Sequence, residues 1–378
     1  MQLENLRELF LLDPEVAFFN HGSFGACPKP VFEEYQRWQR DLEWQPVDFL
    51  GRRREGMINE AREKLADYLH TPVEDLIFVV NATQGVNTVA RSLKLQPGDE
   101  ILTTNHEYGA INKTWAFVCE RTGARMVEHH ITLPATSHES FVEAFWAEVT
   151  PRTRVISISH ITSPTALIFP IAEICRRARE AGILTVIDGA HAPGQIPVDL
   201  TAIGADFYSG NCHKWLSAPK GAGFLFARRE HHLMIDPLVI SHGWGPDGTF
   251  ASHNEWQGTR DISAFLTVPA AIDFQREHDW DSVRARCHRM AVDLHHRIGQ
   301  MTGLDPIATD LDLWFAQMIS IPMPKDRLRE INDRLYYDYK IVPAGGTIGD
   351  KNNMRISIQG YNTPEDCDRL VSALAEIL

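Results

Sequence analysis

The residue types best suited to chemistry in this chain are an aspartate and a lysine, Asp188 and Lys214. Asp188 closes the β-branched run at residues 183–187, and a buried parallel strand delivers the side chain at its end to the sheet edge where ligands bind. Lys214 stands shortly before a second apolar run, at residues 222–227. A carboxylate can pair with a protonated pyridine nitrogen, and a lysine can form a Schiff base with an aldehyde. Together the two residues suit a pyridoxal phosphate site, although singly Asp188 could equally cap a helix and Lys214 could be a solvated loop residue.

A second candidate segment is NATQG at residues 81–85, between an apolar run at 76–80 and a helical pattern at 86–93. A helix N-terminus presents unpaired N–H groups and the positive end of the helix dipole, which favour a phosphate dianion. The hydroxyl of Thr83 could add a hydrogen bond, or it could simply cap the helix. The predicted phosphate-binding residues here are Ala82, Thr83 and Gln84.

Asn211 and His213 flank Cys212 directly before the lysine. Alternation in an extended segment places the side chains of Asn211 and His213 on one face and that of Cys212 on the other. We therefore predict that Asn211 and His213 reach the phosphate together, and that Cys212 is a core residue rather than a nucleophile.

The elements that must position these residues alternate between strands and helices. Apolar runs at 76–80, 100–104, 125–129, 154–159, 183–187 and 222–227 are separated mostly by helical patterns, and long helices with short strands follow residue 262. A chain of 378 residues exceeds the roughly 250 to 300 residues at which a single core stops growing. We predict an N-terminal arm over residues 1–19, a large α/β domain over 20–262 and a smaller α+β domain over 263–378.

Composition limits the class of partner. Hydrophobic residues make up 44% and charged residues 23% of the chain, as expected of a folded protein. The net charge of −13 argues against nucleic acid or an anionic membrane as a partner. No apolar run approaches the roughly 20 residues that span a bilayer, and acidic residues occupy the N-terminus where a signal peptide carries basic ones. We predict a cytoplasmic protein that acts on small molecules.

The cysteines and histidines do not form a pattern typical of a metal site. Six cysteines are scattered without a CxxC pair, which favours reduced thiols over a disulfide framework. The 17 histidines include doublets at 129–130, 231–232 and 295–296, but none lies in an HExxH motif. We predict no metal.

Seven short motifs carry a resemblance to a known family. They are NHGSFG (20–25), NATQG (81–85), NHEYGA (105–110), DGAH (188–191), GNCHKW (210–215), WQGTRD (256–261) and MRIS (354–357). By these motifs the chain resembles the class V aminotransferases of pyridoxal phosphate fold type I, and within them the proteins similar to isopenicillin N epimerase. The resemblance covers nearly the whole chain. It implies a large domain with a mostly parallel seven-stranded sheet between helices, pyridoxal 5′-phosphate as cofactor, and an amino-acid-type substrate.

The resemblance assigns roles to further residues around the cofactor. Tyr108 would stack on the cofactor ring, with His106 as the alternative, and His191 would contact the ring or its oxygen. Ser163 and Thr165 lie in the region where relatives carry an asparagine near the phenolate oxygen. We keep Thr165 for that hydrogen bond, with a plain turn as the alternative.

The substrate and subunit contacts complete the predicted site. Asn20, His21 and Ser23 are predicted at the substrate mouth, with an ordinary turn as the alternative. Arg355 lies between apolar residues on a strand, where its planar fork of donors suits a substrate carboxylate, unless it pairs with a neighbouring Asp. By resemblance Thr259 would reach the phosphate of the other subunit, which implies a homodimer with a shared active site; a surface loop is the alternative.

The reaction follows from these parts only up to removal of the α-proton by Lys214. Resemblance favours an epimerase, with a C–S lyase acting on a cysteine conjugate or an aminotransferase as alternatives. A cysteine desulfurase is disfavoured because residues 342–353, before the arginine strand, contain no cysteine. A non-enzymatic scaffold is disfavoured because both Asp188 and Lys214 are present. Inversion also needs a second proton donor, and the candidates are His21, His106, Tyr108 and His242.

Overall fold

The computed structural model describes residues 6–349 and 351–378. The strands are β1 (Ala17–Phe18), β2 (Leu76–Val79), β3 (Glu100–Thr104), β4 (Arg125–His129), β5 (Thr153–Ser159), β6 (Leu184–Gly189), β7 (Phe207–Asn211), β8 (Gly223–Ala227), β9 (Met318–Met323), β10 (Ile341–Val342), β11 (Ala344–Ile348) and β12 (Lys351–Ser357). The first helices are α1 (His21–Phe24), α2 (Lys29–Trp44), α3 (Arg54–Tyr68), α4 (Ala82–Ser92), α5 (Gly109–Thr122), α6 (His138–Trp146), α7 (Ile171–Glu180) and α8 (Leu200–Ile203). They are followed by α9 (Phe250–Glu255), α10 (Ser263–Leu266), α11 (Val268–Glu277), α12 (Trp280–Thr302), α13 (Leu311–Trp314), α14 (Leu328–Tyr337) and α15 (Pro364–Ile377). Short 3₁₀ helices lie at Leu6–Leu9, Val73–Asp75 and Arg229–Met234, and a π-helix at Asp48–Arg53.

A seven-stranded sheet forms the centre of the large domain, in the order β2-β8-β7-β6-β5-β3-β4. The neighbouring pairs from β7 to β4 are all parallel, whereas β8 is antiparallel to both β7 and β2. Parallel strands need crossover connections, and helices supply most of them here. The mostly parallel seven-stranded sheet predicted from the sequence is confirmed.

Side chains on both faces of this sheet are buried. Val155 and Val186 belong to one hydrophobic cluster, while their neighbours Ile156 and Ile187 belong to the cluster on the other face. Successive residues of a strand point to opposite faces of the sheet, so a strand that is buried on both faces has a continuous apolar sequence. This burial explains why β5 and β6 could be recognised in the sequence.

The smaller α+β domain contains an antiparallel sheet in the order β11-β12-β9. Helix α12 packs against β9 and α15, and α14 packs against α15. Two helices, α10 and α11, follow residue 262 instead of one long helix, because Pro269 in the first turn of α11 lacks the N–H that would continue a single helix. The predicted domain boundaries stay predictions.

The N-terminal arm joins the smaller domain. Residues 1–5 of the predicted arm lie outside the described residues, and Leu6–Leu9 forms a 3₁₀ helix. Strand β1 pairs in parallel with β10, Arg7 makes a 2.9 Å ion pair with Asp366, and Asn20 bridges to Ser357 at the end of β12. The arm therefore brings the segment after Asn20 next to the strand that carries Arg355. None of the helices in the described ranges is long and apolar enough to cross a membrane.

Candidate active site

A cavity of about 220 Å³ lies at the carboxyl ends of the central strands. Ser159 ends β5, Asp188 is the penultimate residue of β6, and Asn211 ends β7, while the register pairs Ser159 with Asp188. Nine predicted site residues line the cavity: Ser23, Ala82, Thr83, Tyr108, Asp188, His191, Asn211, His213 and Lys214. The tertiary structure thus brings together residues from α1, α4, the loop before α5, the ends of strands β6 and β7, and the segments that follow those two strands.

Asp188 is a buried carboxylate at this edge. Its Oδ1 accepts the N–H of Ala190 at 2.9 Å, and no cation of the described residues lies within ion-pair distance. Burial raises the pKa of Asp188, while the Ala190 N–H and the charge of Lys214 oppose that rise. A buried carboxylate without a counter-ion is unfavourable unless a ligand supplies the charge. Asp188 therefore fits a protonated ring nitrogen.

Lys214 is a half-buried residue whose amine contacts His191. The Nζ of Lys214 lies 3.2 Å from Nε2 of His191. Burial lowers the pKa of Lys214 from 10.5 to about 8, helped by the charge of Arg355 and opposed by that of Asp188. A substantial fraction of the amine is therefore neutral at pH 8, and the neutral form is both a nucleophile and a base.

The start of α4 forms the predicted phosphate end of the cavity. Asn81 caps this helix, since its Oδ1 accepts the N–H of Gln84 at 2.9 Å. The N–H of Ala82 donates to Oδ1 of Asn211 at 2.8 Å, which ties the helix to the end of β7. Thr83 lines the cavity with the first turn of the helix. Because the N–H groups of Ala82 and Gln84 are already bonded, an anion here would rely on Thr83 and the helix dipole, and Asn211 supports the helix end as well as facing the cavity.

Gln84 does not line the cavity. Its Oε1 accepts the N–H of Val80 at 2.8 Å, and its Nε2 donates to Oε1 of Gln257 at 3.1 Å. The side chain is therefore folded back over the β2–α4 junction and connects it to the segment after α9. These two partners occupy the side-chain amide of Gln84, and the predicted contact of Gln84 with the phosphate stays a prediction.

His213 lines the cavity in a neutral form. Its Nδ1 donates to the carbonyl of Ala222 at 2.8 Å, which leaves a lone pair on Nε2. Burial lowers the pKa of His213 to about 4, and the charges of Lys214 and Lys220 lower it as well. His213 would have to gain a proton before Nε2 could donate to a phosphate.

Tyr108 and His106, the two candidates for the stacking ring, differ in position. Tyr108 immediately precedes α5 and lines the cavity. His106 is buried, its Nδ1 lies 2.9 Å from Oγ1 of Thr165, and burial lowers its pKa to about 4. Only Tyr108 of the two is among the described residues that line the cavity.

Thr165 is fully buried away from the cavity. Its Oγ1 lies 2.9 Å from Nδ1 of His106 and 2.8 Å from Oγ1 of Thr162. Ser163, which occupies the same predicted turn, lines the cavity instead. The structure therefore places a different hydroxyl in the cavity from the one chosen from the sequence.

Arg355 lies directly behind two serines of the cavity wall. Its Nη2 donates to Oγ of Ser23 at 2.9 Å, and its Nη1 donates to the carbonyl and Oγ of Ser163 at 2.6 and 3.0 Å. Its buried Nε has no partner, and no carboxylate of the described residues pairs with it. Burial lowers the pKa of Arg355 to about 10, so it stays charged at neutral pH. The alternative of an Asp partner is not found, and the guanidinium fits an anionic ligand.

The segment that begins at Asn20 supports the lysine as well as the cavity mouth. Oδ1 of Asn20 accepts the hydroxyl of Ser23 at 2.6 Å, which fixes Ser23 beneath Arg355. His21 is buried outside the cavity lining: its Nε2 lies 3.0 Å from the carbonyl of Lys214 and its Nδ1 3.1 Å from the hydroxyl of Tyr361. Asn20 and His21 therefore position other site residues in this structure.

Thr259 is exposed and does not line the cavity of its own chain. The residues beside it are anchored, since Nη2 of Arg260 donates to the carbonyl of Glu255 at 2.9 Å. A contact between Thr259 and another subunit stays a prediction.

Glu107 is a buried acid that was not singled out from the sequence. Its two carboxylate oxygens accept the hydroxyls of Thr104 at 2.7 Å and Ser159 at 2.6 Å. Burial raises the pKa of Glu107 to about 7; these hydroxyls oppose the rise and the charge of Asp188 adds to it. Its position between His106 and Tyr108 in NHEYGA was the signal available.

Side chains that commonly bind metals, and thiols, are distributed as follows in the described residues. No group of three or more potential metal ligands occurs among the described residues. The cavity lining in the described ranges contains no cysteine, and Cys212 is fully buried in the core. In the part of the chain that the structure describes, the ionisable and hydroxyl-bearing side chains that line the cavity are one amine, one carboxylate, two imidazoles and five hydroxyls.

Comparison with known proteins agrees with this geometry. The sequence matches the family described as Aminotransferase class-V over residues 26–370. Isopenicillin N epimerase from Amycolatopsis lactamdurans is 35% identical, covering 99% of this chain and 98% of its own length. Putative L-cysteine desulfhydrase 1 from Oryza sativa subsp. japonica is 30% identical, covering 96% of this chain and 83% of its own length.

The fold has a solved counterpart. The apo structure of a cysteine desulfurase from Thermococcus onnurineus NA1 superposes with a TM-score of 0.86 at 21% identity, covering 100% of this chain and 98% of that chain. The family, fold type I and the pyridoxal 5′-phosphate cofactor predicted from the sequence are confirmed. The chain belongs to the class V aminotransferase family.

Proposed function

We propose that this protein is an epimerase-like enzyme that inverts the α-carbon of an amino acid or an amino-acid-derived substrate. The observation that carries the proposal is Arg355, a buried guanidinium with no carboxylate partner among the described residues. It reaches the cavity of Lys214 through Ser23 and Ser163. A substrate α-carboxylate would supply the negatively charged partner that the guanidinium lacks, and would thereby place the α-carbon near the lysine.

Pyridoxal phosphate supplies the electron sink that makes an α-proton acidic. Asp188 would pair with its ring nitrogen, and Thr83 with the first turn of α4 would hold its phosphate. Tyr108 would cover the ring, and Lys214 would carry the aldehyde as a Schiff base. Each of these residues lines the same cavity.

Two proton-handling groups support inversion rather than simple proton removal. Lys214, with a pKa lowered to about 8 by burial, can take a proton as a neutral amine. Of the four candidate donors, His21, His106 and His242 do not line the described cavity, whereas Tyr108 does. We propose Tyr108 as the second proton-handling group.

A C–S lyase that acts on an S-substituted cysteine is the second candidate. β-Elimination needs only the amine of Lys214 and a good leaving group. The 30% identity to a putative L-cysteine desulfhydrase favours this candidate. A cysteine desulfurase reaction has less support, because no thiol lines the cavity of the described chain.

Incubation of the cofactor-loaded protein in deuterated water with amino acids and S-substituted cysteines tests the reaction. We expect deuterium at the α-carbon and both stereoisomers, without keto acid. Equal amounts of pyruvate and ammonia without inversion would establish the lyase instead. Keto acid formed with amination of the cofactor would establish an aminotransferase.

The lysine assignment has its own experiment. Borohydride reduction of the loaded protein followed by peptide mapping should label Lys214, and Lys214→Ala should lose the label and the visible absorption band. Lys220→Ala is the control, because Lys220 is the other lysine near this segment. A label on Lys220 would contradict the assignment.

We further propose that the protein works in the cytoplasm as a homodimer with a shared active site. Each of the six cysteines, all of which fall in the described residues, is a free thiol, as suits a reducing compartment. The exposed Thr259 supports a contact supplied by a second copy.

A further inference from the structure

Three neighbouring side chains form a hydrogen-bonded chain that ends at the amine of Lys214. Nε1 of Trp215 lies 3.3 Å from Nδ1 of His191, and Nε2 of His191 lies 3.2 Å from Nζ of Lys214. The exposed fractions are 0% for Trp215 and 2% for His191. Bulk water therefore does not compete for the two ring nitrogens of His191.

The direction of these bonds follows from donor chemistry. An indole nitrogen can only donate, so Nδ1 of His191 must accept with its lone pair. A neutral imidazole carries one ring proton, which must then reside on Nε2, facing Lys214. Burial lowers the pKa of His191 well below its ordinary value, and the charges of Lys214 and Arg355 lower it further. The neutral tautomer with Nε2–H is thus the form that the structure holds.

The amine must be neutral to complete this chain. Because Nε2 of His191 donates, Nζ of Lys214 has to accept, and an ammonium group has no lone pair with which to do so. We propose that Trp215 is a positioning residue whose indole N–H fixes the Nε2–H tautomer of His191, and that His191 in turn stabilises the neutral amine of Lys214. The chain thereby keeps the lysine ready to react with a carbonyl group.

Contacts with the backbone hold the chain in place. Nε2 of Gln275 donates to the carbonyl of Trp215 at 2.8 Å, and Nε2 of Gln195 donates to the carbonyl of His191 at 2.8 Å. The Trp215 ring also packs on His21 at a centroid distance of 5.1 Å. Trp215 and His191 are therefore positioned by three different segments of the chain.

Other charged and titratable groups act on the same amine. The charge of Arg355 favours the neutral form of Lys214, whereas the charge of Asp188 favours the ammonium form. His21 also faces His191, and its own pKa is lowered to about 3 by burial. A variant must leave these three groups in place to isolate the contribution of Trp215, and Trp215→Phe does so because it removes only the indole donor.

The first test uses ¹⁵N NMR on histidine-labelled, cofactor-free protein. Comparison with His191→Gln assigns the signals of His191. We expect a protonated Nε2 and an unprotonated Nδ1 across neutral pH. A protonated Nδ1 in the wild-type protein would overturn the inference, and this measurement needs no tryptophan variant.

The second test measures how Lys214 reacts in the cofactor-free protein. Formaldehyde and cyanoborohydride methylate neutral amines, and mass spectrometry of the Lys214 peptide gives the rate as a function of pH. In Trp215→Phe we expect the rate profile to move to higher pH, with a roughly two- to tenfold slower reaction at neutral pH, as the loss of one buried hydrogen bond implies.

Trp280→Phe is the matched control. Trp280 is also buried, but its Nε1 donates to the carbonyl of Gly194 at 3.2 Å and not to a site residue. The control should keep the wild-type pH profile, and identical profiles for the two variants would overturn the inference. If Trp215→Phe does not fold, the NMR result on the wild-type protein decides. Both tests use neither cofactor nor substrate, so their outcome is independent of which reaction the enzyme catalyses.

Discussion

Asp188 and Arg355 are buried groups of opposite charge, and neither has an oppositely charged partner within ion-pair distance in the described residues. A buried charge without a counter-ion is unfavourable by several kcal/mol after relaxation of its surroundings. Such residues persist where a ligand supplies the missing charge. Asp188 therefore indicates where a protonated ring nitrogen would bind, and Arg355 indicates where a carboxylate would bind.

Replacement of the arginine should weaken the binding of substrates that carry an α-carboxylate. In Arg355→Gln we expect kcat/KM to fall about ten- to a hundredfold, mostly through KM, because charge-assisted hydrogen bonds contribute roughly 1.5 to 3 kcal/mol. Kinetics with an amino acid and with its amide give the measurement. Ser163→Ala is the control because it keeps the carbonyl that Arg355 contacts, and its kcat/KM should fall less than that of Arg355→Gln. An equal loss for the amide would contradict carboxylate binding.

Glu107 should make the stability of the protein depend on pH. Burial raises its pKa from 4.5 to about 7, so between these values the folded protein keeps a proton that the unfolded chain has released. The free energy of unfolding therefore falls as the pH rises through this range and stays lower above it. Relative to the wild type, Glu107→Gln should gain up to ~3 kcal/mol between pH 4 and pH 8.

Urea unfolding at a series of pH values measures the effect of Glu107→Gln. The exposed Glu120→Gln provides the control and should follow the wild-type curve. If the free energy of unfolding depends on pH in the same way in Glu107→Gln and in the wild type, Glu107 does not hold the proton.

Among the elements, the loop that ends α1 has the tightest contact with the lysine segment. Gly25 has a φ of 70°, and a Cβ at this position would lie 2.0 Å from the carbonyl oxygen of His213. Backbone cannot move aside as the end of a flexible side chain can. The last glycine of NHGSFG is therefore required by the close approach of two backbone segments.

Gly25→Ala should displace one of these segments. We expect a loss of about 1 to 3 kcal/mol in the free energy of unfolding, together with slower cofactor uptake, because Lys214 directly follows His213. Gly56→Ala in α3 is the control: its Cβ would meet nothing within 4 Å, and it should stabilise the helix by roughly 0.5 to 1 kcal/mol. Denaturant unfolding and the absorbance of bound cofactor measure both variants. Equal unfolding free energies and equal cofactor uptake in Gly25→Ala and Gly56→Ala would exclude a close contact between Gly25 and His213.

On the scale of the whole molecule, the site is assembled from both predicted domains of the chain. Ser23 comes from the segment after the arm, Lys214 from the large domain and Arg355 from the smaller domain. Strand pairing between β1 and β10 connects the first and last of these regions. Movement of the smaller domain would therefore move Arg355 relative to Lys214.

A shared dimer site predicts complementation between two impaired proteins. Lys214→Ala lacks the cofactor lysine, and Thr259→Ala should hold the phosphate weakly. A mixed dimer would contain one intact site if Thr259 acts across the interface, so activity should exceed the average of the parents. Kinetics after subunit exchange, verified by mass spectrometry, measure this. No gain in verified mixed dimers would place Thr259 outside the partner's site.

The sequence by itself determined the alternating strands and helices and the residues suited to pyridoxal phosphate chemistry. Strands buried on both faces, such as β5 and β6, are visible because a continuous apolar run is a local signal. The run that ends at Asp188 placed that carboxylate at the sheet edge, and the short motifs identified the family and its cofactor. Strand β7, which contains serine, glycine and asparagine, lacks such a run and was not located from its residues, because the resemblance implied only the number of strands.

Only the tertiary structure decided which side chains face the cavity. Local patterns do not encode the turn geometry that places Ser163 in the cavity and buries Thr165 against His106. The partners of Arg355 are 192 and 332 positions away in the chain, so they depend on how the arm and the two domains pack. Sequence patterns report the periodicity of each element, whereas contacts between distant segments arise from packing that no local pattern records.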